Sequence, residues 1–272
     1  MRRTIRAAAA AILGAVLAAA IADDVAAEPL RMAVTTSFEN SGLAGVLLPA
    51  VAEDTGLEVQ LLVVGTGQAI RLGEAGDVDA VLVHSREAEE AFVASGHATH
   101  RREIMYNDFV VVGPADDPAG VVGATDVATA LGRIAAAGAP FVSRGDDSGT
   151  HKAERALWAA SGIEPDPAWY KEVGAGMGAA LNTAAGLRAY ILADRASWAN
   201  FGNGDGMALV FAGDPALFNQ YSYLPVNPAR HPHVNADGAA RLETWLVSDR
   251  AQALIDGYEI GGSRLFTFNA TP

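Results

Sequence analysis

Short apolar runs alternate along this chain with stretches whose apolar residues recur at helical spacing, and the rhythm starts at Leu30. Leu30 to Val34, Val59 to Val64 and Ala80 to Val83 read as buried strands, since brief apolar runs bounded by polar turns suit a strand covered on both faces. Between them, Ser41 to Asp54 reads as a helix kinked by Pro49, and Gly67 to Glu74 as a second helix. Arg86 to Ala94 is a third, with Ala88, Ala91, Phe92 and Val93 on one side. Phe109-Val-Val-Val-Gly-Pro114 is a strand stopped by Gly-Pro, and Ala115 to Gly120 is a turn-rich connection suited to a crossing between two units. A second unit follows: a helix from Ala124 to Ala137, a strand from Phe141, a Gly-rich turn into a helix over Gly174 to Leu181, and strands at Tyr190 to Leu192 and Ala208 to Phe211. Tyr221 to Asn235, holding Pro225, Pro228 and Pro232, reads as a loop or second crossing, after which a helix (Gly238 to Ser248) and a strand (Arg264 to Phe268) return to the first unit. This order predicts an α/β protein of two lobes, residues 28–112 plus 216–272 and residues 113–215, each a mainly parallel sheet flanked by helices.

The N-terminus breaks the pattern. Arg2, Arg3 and Arg6 precede an Ala-rich apolar run from Ala7 to Ile21 and a small-residue cleavage site at Val25-Ala26-Ala27, so residues 1–27 read as a secretory signal peptide. No Cys follows to carry a lipid, and the expected mature protein is periplasmic and has no stable membrane anchor. The chain of 272 residues contains no Cys at all, which excludes disulfides, thiolate metal sites and a cysteine nucleophile. A net charge of −13, or −14 once the three Arg and two Asp of the leader are gone, argues against nucleic acid and anionic membranes as partners. A small anion is still allowed, but it must be held by local donors.

Such donors gather in Phe141-Val-Ser-Arg-Gly-Asp-Asp-Ser-Gly-Thr-His151, a strand and turn leading into the helix-forming Lys152-Ala-Glu-Arg-Ala-Leu-Trp158. The first turn of a helix has amides without intrahelical partners and the positive end of the macrodipole, so it attracts anions that can approach the backbone. Gly145 and Gly149 permit that approach, Arg144 adds a charged planar fork, and Ser148 and Thr150 add hydroxyls. The competing account is a helix capped by Asp147 or Ser148, with Arg144 in a surface ion pair. Two further strand-to-helix turns share the character: Thr35-Thr36-Ser37 and Gly65-Thr66-Gly67-Gln68. In an open parallel sheet these turns lie at the carboxyl ends of the strands, where one cleft collects them. The second lacks both the Gly-Lys-Ser/Thr ending of a Walker loop and the third glycine of a dinucleotide fingerprint.

These motifs, together with Val34-Thr-Thr-Ser37, Val83-His84, Met105-Tyr-Asn-Asp-Phe-Val110, Leu157-Trp158 and Gly176-Met-Gly178, resemble those of the periplasmic tungstate-binding proteins of tungstate ABC transporters. The resemblance spans about Met32 to Asn200 and implies a two-lobed type II periplasmic binding protein with its ligand in the cleft and no catalysis. By position it places Thr35, Thr36, Ser37 and Thr66 on one lobe and Arg144, Ser148, Gly149 and Thr150 on the other as oxyanion contacts. It implies tungstate as ligand, with molybdate a second of almost equal size and charge, a membrane permease as partner, a monomer, and no cofactor. Val34 departs from the family, which usually has a further Thr there.

Arg144-x-x-x-Ser148-Gly-Thr150 also resembles periplasmic phosphate-binding proteins, in which an Asp of the motif accepts the proton that phosphate carries. Tungstate has no such proton near neutral pH, so Asp146 and Asp147 are expected to face away from the cleft, one capping the helix and the other fixing Arg144. A serine hydrolase built from Ser148, His151 and an Asp is a remote third reading, since one turn cannot aim three catalytic groups at each other. His231-x-His233 is expected to be a surface pair rather than a metal site, and the four Trp to be core residues.

Overall fold

The computed structural model describes residues 29–271, so the signal-peptide reading of residues 1–27 lies outside the described residues. The first α/β unit runs β1 (Leu30–Thr35), α1 (Thr36–Asn40), α2 (Ala44–Thr55), β2 (Val59–Val64), α3 (Thr66–Ala75), β3 (Ala80–Val83) and α4 (Arg86–Ala94). A long strand, β4 (Arg102–Pro114), leads to the second unit: α5 (Val127–Ala137), β5 (Phe141–Ser143), α6 (Gly149–Ala160), β6 (Tyr170–Glu172), α7 (Met177–Leu187), β7 (Tyr190–Asp194), α8 (Arg195–Ala199) and β8 (Met207–Phe211). The chain then returns through β9 (Phe218–Pro225), α9 (Ala236–Leu246), α10 (Asp249–Asp256) and the short strands β10 (Glu259–Ile260), β11 (Ser263–Arg264) and β12 (Thr267–Phe268).

The main sheet is ordered β2-β1-β3-β9-β4-β7-β5-β6. The expected parallel α/β rhythm holds in β2-β1-β3 and in β6-β5-β7, while β4 and β9 run antiparallel to their neighbours and join the two groups. Strand β4 changes partners along its length: Arg102 to Asp108 pair with β9, and Phe109 to Val112 with β7. The passage between units thus lies inside this strand rather than in Ala115–Gly120, which stays in the second unit with Ala115 N–H on Gly206 O and Ala119 N–H on the Tyr190 hydroxyl. Likewise the return passes through Gly213 to Leu217; of the expected loop, Tyr221 to Pro225 belong to strand β9 and the remainder to Asn235 is loop. The last expected strand is broken into β11 and β12.

Alternation along the strands buries both faces of the sheet. Leu30, Met32 and Val34 of β1 face a core built with α2, α9 and α10, and Ala33 faces one built with α3 and α4. In β4, Phe109 and Val111 pack with α5 and α6, and Val110 and Val112 with α7. Helices on both faces leave the strand ends as the accessible edge of the sheet, and the candidate turns sit there.

Candidate functional site

Three turns from the first unit end side by side. Thr35 closes β1 in extended conformation and caps α1, its Oγ1 accepting from Phe38 N–H at 3.2 Å. Gly65 closes β2 and Thr66 opens α3. His84 follows β3 directly. Facing them, the β5–α6 turn presents Arg144 to Thr150 and the β6–α7 turn presents Gly176 and Met177.

Contacts across the seam are specific. Arg144, 1 % exposed, donates from Nη2 to Thr36 Oγ1 at 3.0 Å and from Nη1 to Ser37 Oγ at 3.4 Å. Thr36 Oγ1 also accepts from Met177 N–H at 3.4 Å, and Thr66 Oγ1 accepts from Gly149 N–H at 2.9 Å. The first residues of α6 and α7 therefore each aim an amide at a threonine oxygen of the opposite unit. A side chain at Gly176 would come within 3.1 Å of the Thr36 methyl, which accounts for glycine there.

All eight residues singled out from the sequence, Thr35, Thr36, Ser37, Thr66, Arg144, Ser148, Gly149 and Thr150, lie in these two facing walls, but their side chains are not equivalent. The Thr35 and Ser148 hydroxyls are taken up as helix caps, Ser148 Oγ accepting from His151 N–H at 3.2 Å. Thr150 Oγ1 and Arg144 Nε are buried with no protein partner. Val34 is fully buried in the core beside Phe38, so its missing hydroxyl removes nothing from the walls. Gly176, Met177 and His84 are additional residues of the site to which sequence reasoning gave no role. Only the convergence of several helix N-termini could have marked the first two.

The two acidic residues resolve differently from the expectation. Asp146 does one of the expected jobs, pairing one oxygen with Arg144 Nη2; its other oxygen accepts from Ser148 N–H at 3.2 Å, ahead of the helix that Ser148 itself caps, and the carboxylate lies in the seam, 3.8 Å from where a Cβ on Gly65 of the opposite wall would stand, rather than away from the cleft. Asp147, in a left-handed conformation (φ 57°), turns outward, 64 % exposed and 3.6 Å from Lys152. Burial works against the Arg144 charge, and Asp146 is the chief compensation for it. Each Asp146 oxygen thus has a donor of its own turn, Arg144 or Ser148. Ser148 Oγ faces the His151 backbone and His151 Nδ1 accepts from Asp147 N–H, so no nucleophile–base–acid relay forms.

Behind this wall lies a buried polar cluster. The Asp194 carboxylate accepts from Asn107 Nδ2 (2.8 Å), the Tyr221 hydroxyl (2.7 Å) and Asn219 Nδ2 (3.1 Å), and from the amides of Ala196 and Ser197 that open α8. Burial pushes its carboxyl upward while these five donors favour the ionised form. Asn107 and Asn219 stand on β4 and β9 where the chain passes between units, so the cluster ties both passages to the second unit.

Fold and site together define the class of a two-lobed solute-binding protein with an anion-directed cleft. A PBP superfamily domain matches residues 19–250. The tungstate-binding protein TupA of Peptoclostridium acidaminophilum is 45 % identical over 243 residues, covering 88 % of this chain and 85 % of the relative. Among solved structures, the tungstate ABC transporter protein of Geobacter sulfurreducens matches with a TM-score of 0.80 at 45 % identity, covering 85 % of this chain and 99 % of that one. The tungstate-binding protein TupA of Desulfovibrio alaskensis G20 matches with a TM-score of 0.75 at 46 % identity, covering 89 % and 100 %. The chain belongs to the PBP superfamily and, within it, to the family of the TupA tungstate-binding proteins.

Proposed function

We propose that this protein captures tungstate, with molybdate as a second ligand, and delivers it to the membrane permease of an ABC transporter. The carrying observation is the make-up of the cleft. Arg144 and the amides opening α6 and α7 are donors, Asp147 turns out to Lys152, and the Asp146 carboxylate is taken up by Arg144 and the Ser148 amide. A fully deprotonated tetrahedral dianion needs only donors. Phosphate would need a carboxylate free to take its proton, and the Asp146 carboxylate in the seam is held by the Arg144 charge and the Ser148 amide.

In this reading Thr36, Ser37 and Thr66 exchange their present partners for ligand oxygens, Arg144 supplies the charge, and Gly149 and Thr150 supply an amide and a hydroxyl. Thr35 and Ser148 act through their backbone and their helix caps. The two lobes close about β4, whose passage falls after Asp108, and about the return to β9, with no resident cofactor and no reaction. The protein works as a monomer in the periplasm, exported by its leader. No helix among the described residues is long and apolar enough to cross a membrane. A thermal-shift panel of tungstate, molybdate, phosphate and sulfate at fixed ionic strength tests the reading, because a ligand of the native state raises the melting temperature. Tungstate and molybdate are expected to give large shifts; a shift with phosphate alone, or none at all, would refute it.

A further inference from the structure

Strands β2, β1 and β3 lie side by side and parallel, and the turns after β2 and β1 supply Thr66 and Thr36 to the cleft. The residue in the corresponding place after β3 is His84. Its side chain is buried, 6 % exposed, between the ring of Tyr221 at 4.7 Å and that of Phe109 at 6.0 Å, and neither ring nitrogen has a hydrogen-bond partner in the protein. It touches the opposite wall: a Cβ on Gly149, the first residue of α6, would stand 2.9 Å from His84 Nδ1 and from its carbonyl oxygen. Phenylalanine would fill the same space without leaving two polar atoms unpaired, so the imidazole calls for a partner from outside the protein.

We propose that His84 is a further contact to the bound oxyanion, one ring N–H donating to a ligand oxygen beside Gly149. This rests on the reading of the cleft as an oxyanion receptor. The donors nearest the ring are already engaged. The Tyr221 hydroxyl is given to Asp194, and the Asn219 amide nitrogen is divided between Asn107 and Asp194; Asn219 lies close to the ring without a well-formed bond to it. Beyond the ring a cavity of about 510 Å³ runs along the seam past Arg101, Glu103 and Lys152, whose charges pair with Glu89, with each other or with Asp147. Arg144 is the cation set against His84 from the cleft side, and burial together with that charge holds the ring's pKa at about 3. The ring is therefore neutral across the physiological range, with one nitrogen carrying a proton to donate and no charge to add.

Calorimetric titration of the full protein with tungstate, comparing wild type, His84→Phe and His84→Gln, tests the proposal. Loss of one neutral donor predicts roughly five- to tenfold weaker binding for His84→Phe, while His84→Gln, which keeps an N–H, stays within about threefold. His84→Phe removes unpaired polar atoms, so its ligand-free melting temperature should not fall. Ring nitrogen chemical shifts of the wild type provide a readout independent of any variant: the donating nitrogen should move on saturation with tungstate. Equal affinity of His84→Phe and wild type, or ring shifts unchanged by tungstate, would overturn the proposal and leave ordered water as the ring's partner. Failure of the wild type to bind tungstate would instead overturn the reading of the cleft and this inference with it.

Discussion

Arg144 is the one fully buried Lys or Arg among the described residues, and its two terminal nitrogens reach Thr36 and Ser37 of the other unit as well as Asp146. Removing it deletes a charged donor and leaves the partly buried Asp146 without its counter-ion, whereas removing the Thr66 hydroxyl deletes one neutral partner. Charge-assisted hydrogen bonds contribute roughly 1.5–3 kcal/mol and neutral ones about 0.5–1.5 kcal/mol. Arg144→Ala should accordingly weaken tungstate binding by about two orders of magnitude, and Thr66→Ala by about tenfold or less. Arg144→Lys should fall between them, because an ammonium cannot fork between two acceptors. Titration calorimetry ranks the three; equal losses for Arg144→Ala and Thr66→Ala would remove the direct role assigned to Arg144.

The α6 helix joins the cleft to a second buried group. Its Gly149 leaves no room for a methyl against His84, yet alanine is the better helix former. Gly149→Ala should then hold the two units apart and cut tungstate affinity by about tenfold or more while the ligand-free melting temperature stays level or rises. Five residues further along, Glu154 accepts from the Tyr170 hydroxyl at 2.6 Å and from Trp158 Nε1 at 3.2 Å, and burial raises its pKa from 4.5 to about 7. With a folded pKa above the unfolded one, the native state holds the proton more tightly, so stability is full below about pH 4.5 and falls as pH rises to about 7. The loss amounts to about 3 kcal/mol. Glu154→Gln has no such loss, and its thermal melts should gain on wild type progressively between pH 5 and 8; parallel curves would deny the shift.

At this scale the sequence was informative where chemistry repeats and silent where it does not. The turns after β1, β2 and β5 each pair glycine or hydroxyl residues with a following helix, so the residues that face each other across the seam were legible in the sequence. The first half of β4, Arg-Glu-Ile-Met-Tyr-Asn-Asp from Arg102, mixes polar residues into its pattern because it is a joining strand flanked by β9 and the short β12, and it showed no apolar run. Strand β9 was masked in the same way by Asn219, Gln220 and the terminal Pro225. His84 left no signal beyond its place after a strand, since burial between two rings is a property of the packed molecule.

The whole molecule carries a net charge of −13, yet its proposed ligand is a dianion. Long-range repulsion therefore opposes encounter, and affinity has to come from the desolvated contacts around Arg144, which salt screens far less than it screens exposed charge. The two contributions separate kinetically. Raising ionic strength from about 0.01 M to 0.15 M shortens the screening length from about 30 Å to about 8 Å. The association rate of tungstate should thus rise by roughly twofold or more over that range, while the dissociation rate, set by the closed seam and its buried donors, stays nearly constant. Stopped-flow measurements following intrinsic tryptophan fluorescence can read both rates. An association rate that falls with added salt would mean that a local positive field, rather than short-range donors alone, draws the anion in; Arg144→Ala would then abolish the salt dependence along with most of the binding.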